Sequence, residues 1–357
     1  MRLLRLECQA FRSLNQLVFE PAPGLNIIHG GNAQGKTTVL EAILYAATSK
    51  SHRTTLESEL VQYGADRFYV RLCAQRSDRE VAVDAYWWKN TKRFKINGVP
   101  QTRLSDILGR VHVVFFCPED IGLIKEGASV RRRFLDMEIS QILPGYLQAL
   151  QQYRQALRQR NELLRTDQPD PALIDVWDVQ LIQHGQNIIR LRKEYIDDLS
   201  TRATEAYARI AEEETLALDY LPDVKSSDEL AATLERSRAS DLKHRVTHRG
   251  PHRDDMEFLI GGRPARSFAS QGQQKTAALA LKLAELELIR ARIGEYPILL
   301  LDEVLAELDE HRARRLFSAI VPDVQCLLTT AEDHCRPERF DAGCAFYRIE
   351  RGCLEKE

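Results

Sequence analysis

Gly30-Gly31-Asn32-Ala33-Gln34-Gly35-Lys36-Thr37 decides the fold class, because it carries the spacing G-x-x-x-x-G-K-[ST] of a phosphate-binding loop. Leu25-Asn26-Ile27-Ile28 before it reads as a strand, and Thr38 followed by Val39-Leu40-Glu41-Ala42-Ile43-Leu44 reads as an apolar-faced helix. A glycine turn entering an ordinary helix shares these residues. Strand, loop and helix in that order separate the two readings. The glycines let backbone N–H groups turn toward an anion, and the helix N-terminus adds a favourable dipole. Lys36 is expected to reach the β- and γ-phosphates, and Thr37 to place its hydroxyl on Mg²⁺. The expected ligand of Gly30 to Thr38 is therefore ATP with Mg²⁺.

Pro297-Ile298-Leu299-Leu300-Leu301-Asp302-Glu303 reads as a buried strand ending in two carboxylates, the form of a Walker B segment. Asp302 is expected to hold Mg²⁺ with Thr37, and Glu303 to act as general base or to orient water for hydrolysis. Ser270-Gln271-Gly272-Gln273-Gln274-Lys275 opens a helix, Thr276 to Arg292, and Ser270 with Gln273 is a capping box that needs no nucleotide. Its place before Asp302 is also where ATP-binding-cassette proteins carry the signature that contacts the γ-phosphate held by a second subunit. Leu305-Ala306-Glu307-Leu308-Asp309 fits a D-loop, with Asp309 as a binding residue, and Thr329-Thr330 fits the switch position.

The whole chain sets bounds on this. With 357 residues and 44% hydrophobic composition it can bury one full core and an appendage. Lys and Arg total 50 against 52 Asp and Glu, so bulk charge makes no case for nucleic acid or membrane, and any DNA surface must be local. The opening Met1-Arg2-Leu3-Leu4-Arg5-Leu6-Glu7 lacks the apolar core of a signal peptide and reads as a first strand. No apolar run reaches the roughly 20 residues that cross a bilayer, so the expectation is a cytoplasmic protein without a membrane partner. The seven cysteines form no C-x-x-C pair and read as scattered reduced thiols.

Up to about residue 125, short apolar runs alternate with turns: Phe68 to Leu72, Val81 to Val83, Phe94 to Ile96 and Val111 to Phe116, with Asn97-Gly98 as a turn. From Leu143 the period lengthens. Leu143, Leu147, Leu150, Leu157 and Leu164 mark one helix, and Trp177, Leu181, His184, Ile188, Leu191, Tyr195 and Leu199 a second that can lie antiparallel on it. A further helix is expected from Ser227-Asp228, which can cap it, toward Lys243. Strand character returns at Met256 to Ile260. The expected architecture is an α/β ATPase head with a mixed sheet, residues 1–125 and 246–357, split by an inserted helical hairpin arm at 126–245.

These residues resemble the RecF family, bacterial recombination mediator ATPases related to SMC and Rad50 proteins. The resemblance rests on Asn32 to Thr37 with Leu40-Glu41-Ala42-Ile43, Ser51-His52-Arg53, Pro118-Glu119-Asp120, Arg131 to Asp136, Gln159-Arg160-Asn161, Gly250-Pro251-His252-Arg253-Asp254-Asp255 and Ser270 to Gln274. Ala33 stands where glycine is usual, Ala128 where proline is common, Ala306 where serine is usual, and Glu303 where many members have aspartate. The resemblance implies a weak, DNA-stimulated ATPase that forms an ATP-dependent homodimer. It also implies clamping of double-stranded DNA near gaps, and roles with RecR and RecO, and indirectly RecA, in recombinational repair, replication and the SOS response. The alternative is an SMC/Rad50-like chromosome-structure ATPase, which would carry a far longer coiled coil than residues 126–245 allow. A transporter's nucleotide-binding subunit or a small-molecule kinase would explain the phosphate loop but not the other strings.

His244, His248 and His252 are four apart, but Gly250-Pro251 breaks the helix that a metal face requires. The loop His252 to Asp255 is read as adjacent to nucleotide. Arg131-Arg132-Arg133 fits either DNA phosphates or ion pairs. The arm's Arg154, Arg158, Arg160, Arg165, Arg190, Arg192 and Lys193 pose the same question, and Arg154, Arg158 and Arg165 form a stripe. Aromatic residues are few along the arm, so base stacking is not expected there.

Overall fold

In chain order the first half runs β1 (Arg2–Phe11), β2 (Leu14–Phe19), β3 (Leu25–Gly30), α1 (Lys36–Thr48), β4 (Arg67–Gln75), β5 (Glu80–Trp88), β6 (Thr91–Ile96), β7 (Val99–Gln101) and β8 (Val113–Phe116). Helices follow: α2 (Gly122–Lys125), α3 (Ala128–Ile142), α4 (Pro144–Leu164) and α5 (Pro171–Ile210). Then come β9 (Leu216–Leu221), α6 (Leu230–His244), β10 (Asp255–Ile260), β11 (Arg263–Pro264), α7 (Ala265–Phe268) and α8 (Gln271–Ile293). The chain ends with β12 (Ile298–Leu301), β13 (Cys326–Ala331), β14 (Ala345–Glu350) and β15 (Cys353–Lys356). This computed structural model describes residues 1–211, 214–307, 315, 320, 323–331 and 344–357.

Two compact units result: Met1–Asp120 with Arg209–Glu212 and Leu279–Glu357, and Ile121–Ala208 with Glu213–Ala278. The first holds two six-stranded sheets. One is antiparallel throughout, ordered β2-β1-β4-β5-β6-β7. The other, ordered β15-β14-β3-β13-β12-β8, is parallel from β14 to β8 with β15 as an antiparallel edge. In β4, Phe68, Val70, Leu72 and Ala74 are buried and alternate with Arg67, Tyr69 and Arg71, the two-residue period of a sheet with one wet face. By contrast β12 is buried at all four positions, as an interior parallel strand requires. Val39, Leu40, Ile43 and Tyr45 of α1 join residues of both sheets in one core.

The second unit holds the three-stranded antiparallel sheet β11-β10-β9 and helices α2 to α7. It begins at Ile121 and reaches Ala278, so the boundary expected at residue 245 falls inside it. The reason is pairing: Met256 to Ile260, expected to return to the head, run as β10 against β9, from Asp255↔Leu221 to Ile260↔Leu216.

The helical hairpin forms, with α4 of 21 residues and α5 of 40. Arg160 bonds Asp178 while Tyr146 bonds Arg192, so the two helices run antiparallel. Leu181, Ile188, Tyr195 and Leu199 are buried as their spacing predicts. On α4 the buried face is different from the leucine pattern. Tyr146, Tyr153 and Arg160 are buried with Leu150 and Leu164, while Leu147 and Leu157 are only half-buried. Hydrogen-bonded polar side chains outcompete leucine for this seam. The expected caps of α6 also fail: Ser227–Glu229 is a 3₁₀ turn, and Ser227 meets Asp228 at 3.4 Å rather than a helix N–H.

Candidate nucleotide site

The phosphate loop joins β3 to α1 within the first unit. Gly30 has φ +153°, and a Cβ there would lie 2.4 Å from the Ile349 carbonyl oxygen, so only glycine fits where β14 passes. Gly35, at φ +111°, turns the chain into α1. Among the described residues, no N–H group of Gly31, Asn32, Ala33, Gln34 or Gly35 donates to another group of the chain. A helix start flanked by free N–H groups suits an anion.

The expected side chains gather around it. Lys36 is buried, and its Nζ donates to the carbonyl oxygens of Gly30 (2.9 Å) and Gly31 (3.0 Å) and lies 3.3 Å from Glu303 Oε1. Thr37 Oγ1 donates to Asp302 Oδ1 at 3.0 Å, and Thr329 Oγ1 donates to the same oxygen at 2.5 Å. Burial pushes the Asp302 carboxyl above its ordinary range, and the two hydroxyls oppose that shift. Parallel pairing explains the convergence, since β13 lies between β3 and β12, with Thr329 opposite Ile28 and Thr330 opposite His29. Glu303 has φ +49°, and its N–H donates to the Thr329 carbonyl oxygen (3.2 Å) and Oγ1 (3.1 Å). Thr329, expected at the switch position, thus bonds both carboxylate residues.

Two turns that sequence reasoning missed also touch the loop. Ser13, between β1 and β2, bonds Thr38 Oγ1 at 3.3 Å. Between β14 and β15, the N–H groups of Arg351 and Gly352 donate to Gln34 Oε1 (2.6 Å) and to its carbonyl oxygen (3.0 Å). No local motif announces such pairings, because they join residues far apart along the chain.

Ser270 to Gln274 lie in the second unit. The capping box is formed: Ser270 N–H donates to Gln273 Oε1 at 2.6 Å, and Gln273 N–H to Ser270 Oγ at 3.2 Å. Gln273 Nε2 also donates to Glu214. Ser270 and Gln271 are exposed and Gly272 is half-buried. Asp309, expected as a D-loop residue, and Cys335 lie outside the described residues.

The loop His252 to Asp255, read as adjacent to nucleotide, finds its partners inside the second unit. His252 Nδ1 bonds Tyr153 Oη at 2.7 Å. Asp254 accepts from Arg192 (2.8 Å) and Tyr220 (2.5 Å), and Asp255 accepts two bonds from Arg131 (2.7 and 2.8 Å). Asp136 takes Arg192, Arg154 and Tyr146. Arg131, Arg160 and Arg192 are therefore buried ion-pair centres, which takes them out of the set of possible phosphate ligands. Arg190 and Lys193 pair with Glu194 and Asp197, leaving Arg133, Arg158 and Arg165 exposed and without a side-chain partner among the described residues.

Comparison with known proteins shows the family. Residues 2–344 match the family model described as RecF/RecN/SMC N terminal domain. A DNA replication and repair protein RecF from Symbiobacterium thermophilum is 41% identical, over 99% of this chain and 98% of its own. The RecF of Lachnospira eligens is 40% identical over 91% of each chain. Among solved structures, one of the recombination mediator protein RecF with ATP in the RecFOR pathway matches with TM-score 0.92 and 34% identity, covering 100% of this chain and 97% of that one. An SMC head bound to the C-winged helix domain of ScpA shares the fold, at TM-score 0.60 and 16% identity.

Proposed function

The chain belongs to the RecF family of DNA replication and repair proteins, and on that footing we propose that it is a DNA clamp closed by ATP and reopened by hydrolysis. It is an ABC-type ATPase of recombinational repair. The observation that carries the mechanism is the grouping Thr37–Asp302–Thr329 beside Lys36–Glu303 at the mouth of the phosphate loop.

Lys36 exchanges the loop carbonyls for β- and γ-phosphate oxygens. The free N–H groups of Gly31 to Gly35 bind the same anion. The hydroxyl of Thr37 and the carboxylate of Asp302 are hard oxygen donors already side by side, the chemistry that suits Mg²⁺. Bound there, Mg²⁺ would supply charge neutralisation to the phosphates. Thr329 fixes the Asp302 carboxylate and, through the Glu303 N–H, the residue next to it. Glu303 orients the attacking water or takes its proton.

In this reading Ser270 to Gln273 of one subunit meet the γ-phosphate on the other, so hydrolysis is slow until two chains close, and DNA stimulates it. The DNA is double-stranded near a gap, and the partners are RecR and RecO, with RecA loaded downstream. Among the described residues no helix is long and apolar enough to cross a membrane.

Lys36→Ala should abolish ATP-induced dimerisation in sedimentation; a dimer that still formed with ATP would overturn the composite site. Glu303→Gln should bind ATP and dimerise while releasing phosphate about 10²-fold or more slowly. Phosphate release at the parental rate would remove Glu303 from its role.

A further inference from the structure

The antiparallel sheet of the first unit buries one face and leaves the other to solvent, and on that outer face aromatic rings stand between cations. Tyr69 of β4 pairs with Tyr86 of β5, and Tyr86 with Arg93 of β6, while Arg67 pairs with Trp88. The Tyr69 and Tyr86 rings are 4.8 Å apart at 34°. Lys89 Nζ lies 4.4 Å from the Trp88 ring centre, and Lys95 Nζ lies 5.5 Å from that of Tyr86. The face is concave, enclosing about 830 Å³, with Arg67, Lys89, Arg93 and Lys95 in its lining; beside it Asp84, opposite Arg71 and Lys95, accepts from Tyr69 Oη at 2.7 Å and pairs with Arg71 at 3.3 Å. At the rim, Asp66 lies 3.4 Å from Arg67 and accepts from Trp88 Nε1 at 3.3 Å.

Cross-strand aromatic pairs stabilise sheets by themselves, and that accounts for Tyr69 beside Tyr86. It does not account for Trp88, 44% exposed at the sheet's end, or for Arg93, exposed and without an ion pair among the described residues. A ligand that is anionic along its length and carries flat apolar faces answers both. Unpaired nucleic acid has that chemistry, because bases locked in a duplex present no ring to stack on.

We propose that this outer sheet face is a platform for single-stranded DNA, with unpaired bases stacking on Trp88, Tyr86 and Tyr69 and phosphates meeting Arg67, Arg93 and Lys95. The choice of DNA rests on the assignment to DNA repair; the strand type and the surface come from the sheet. A chain acting where duplex gives way to a gap then reads the unpaired side with the first unit's sheet, independently of ATP.

The test is anisotropy of a labelled oligo(dT) of about 16 nucleotides, the upper site size of a comparable module, without nucleotide. Trp88→Ala should weaken binding about tenfold, the loss of roughly one stacked base, and Arg93→Ala should weaken it severalfold. Trp88→Phe should recover most of the loss. ATP binding and ATP-induced dimerisation of each variant should match the parent, which reports an intact fold. Lys36→Ala should retain oligo(dT) binding, so failure of the ATP clamp and failure of this platform are separately visible. Unchanged oligo(dT) affinity in both surface variants would overturn the platform. So would an equal loss toward duplex of the same length, or displacement of oligo(dT) by poly-glutamate at equal charge, which would mark a general anion surface.

Discussion

Ala33 occupies a position where the backbone demands glycine. Its φ is +61°, and left-handed backbone costs an alanine roughly 1–2 kcal/mol. The resemblance flagged the residue as unusual without saying why, since φ cannot be read from a residue's name. Ala33→Gly should relieve the strain, partly offset by the extra freedom of glycine in the unfolded chain, roughly 0.4–1 kcal/mol. The expected outcome is a gain of between about 0 and about 1.6 kcal/mol in urea-induced unfolding of the first unit. A loss would mean that the alanine methyl packs favourably enough to outweigh its backbone. Glu303 shows the same tension at φ +49°, held there by two bonds from its N–H to Thr329.

At the scale of elements, the seam between α4 and α5 is where patterning misleads. Arg160 is fully buried, with Nε on Asp178 at 2.5 Å and Nη1 on Asp241 and Thr247 at 2.8 Å each, so one guanidinium ties α4 to α5, to α6 and to the chain beyond. Burial pushes Asp178 above its ordinary range, with Arg160 opposing. Removing one member of a buried pair strands the other's charge. Arg160→Ala should therefore destabilise the second unit by about 3–5 kcal/mol in chemical denaturation. A loss under about 1 kcal/mol would show that water reaches Asp241 and replaces the arginine. The arm's cations combine two populations, with Arg160 and Arg192 buried and Arg154, Arg158 and Arg165 exposed, and a residue's type alone does not separate a buried guanidinium from a solvated one. At α8 spacing told more: Ser270 and Gln273 form the capping box that their separation predicts.

For the whole molecule, a net charge of −2 means that DNA affinity must come from local cations. In the arm these are Arg158 and Arg165, exposed and free of carboxylates among the described residues, together with Arg133. If Arg158 and Arg165 both meet duplex phosphates, Arg158→Ala with Arg165→Ala should lower the slope of log affinity against log salt by about 2, roughly 1 for each phosphate no longer neutralised. Anisotropy on duplex DNA across a salt series measures this. An unchanged slope would place the duplex elsewhere on the surface.

The sequence by itself determined the nucleotide chemistry and the ATPase class. Gly30 to Thr37, the run ending at Asp302-Glu303 and the Ser270 capping box are local patterns whose geometry follows from near neighbours. The structure alone decided what depends on pairing between distant segments. β10 belongs with β9, Thr329 holds Asp302, and Gly250 to Asp255 anchor helices. The same holds for the outer face at Tyr69, Tyr86 and Trp88. Tyr69 alternates with the buried Phe68 and Val70, Tyr86 follows the buried Ala85 and Trp88 stands at a strand end, so nothing in the linear order sets the three side by side. Register across a sheet does, because each strand sends every second side chain to the same face.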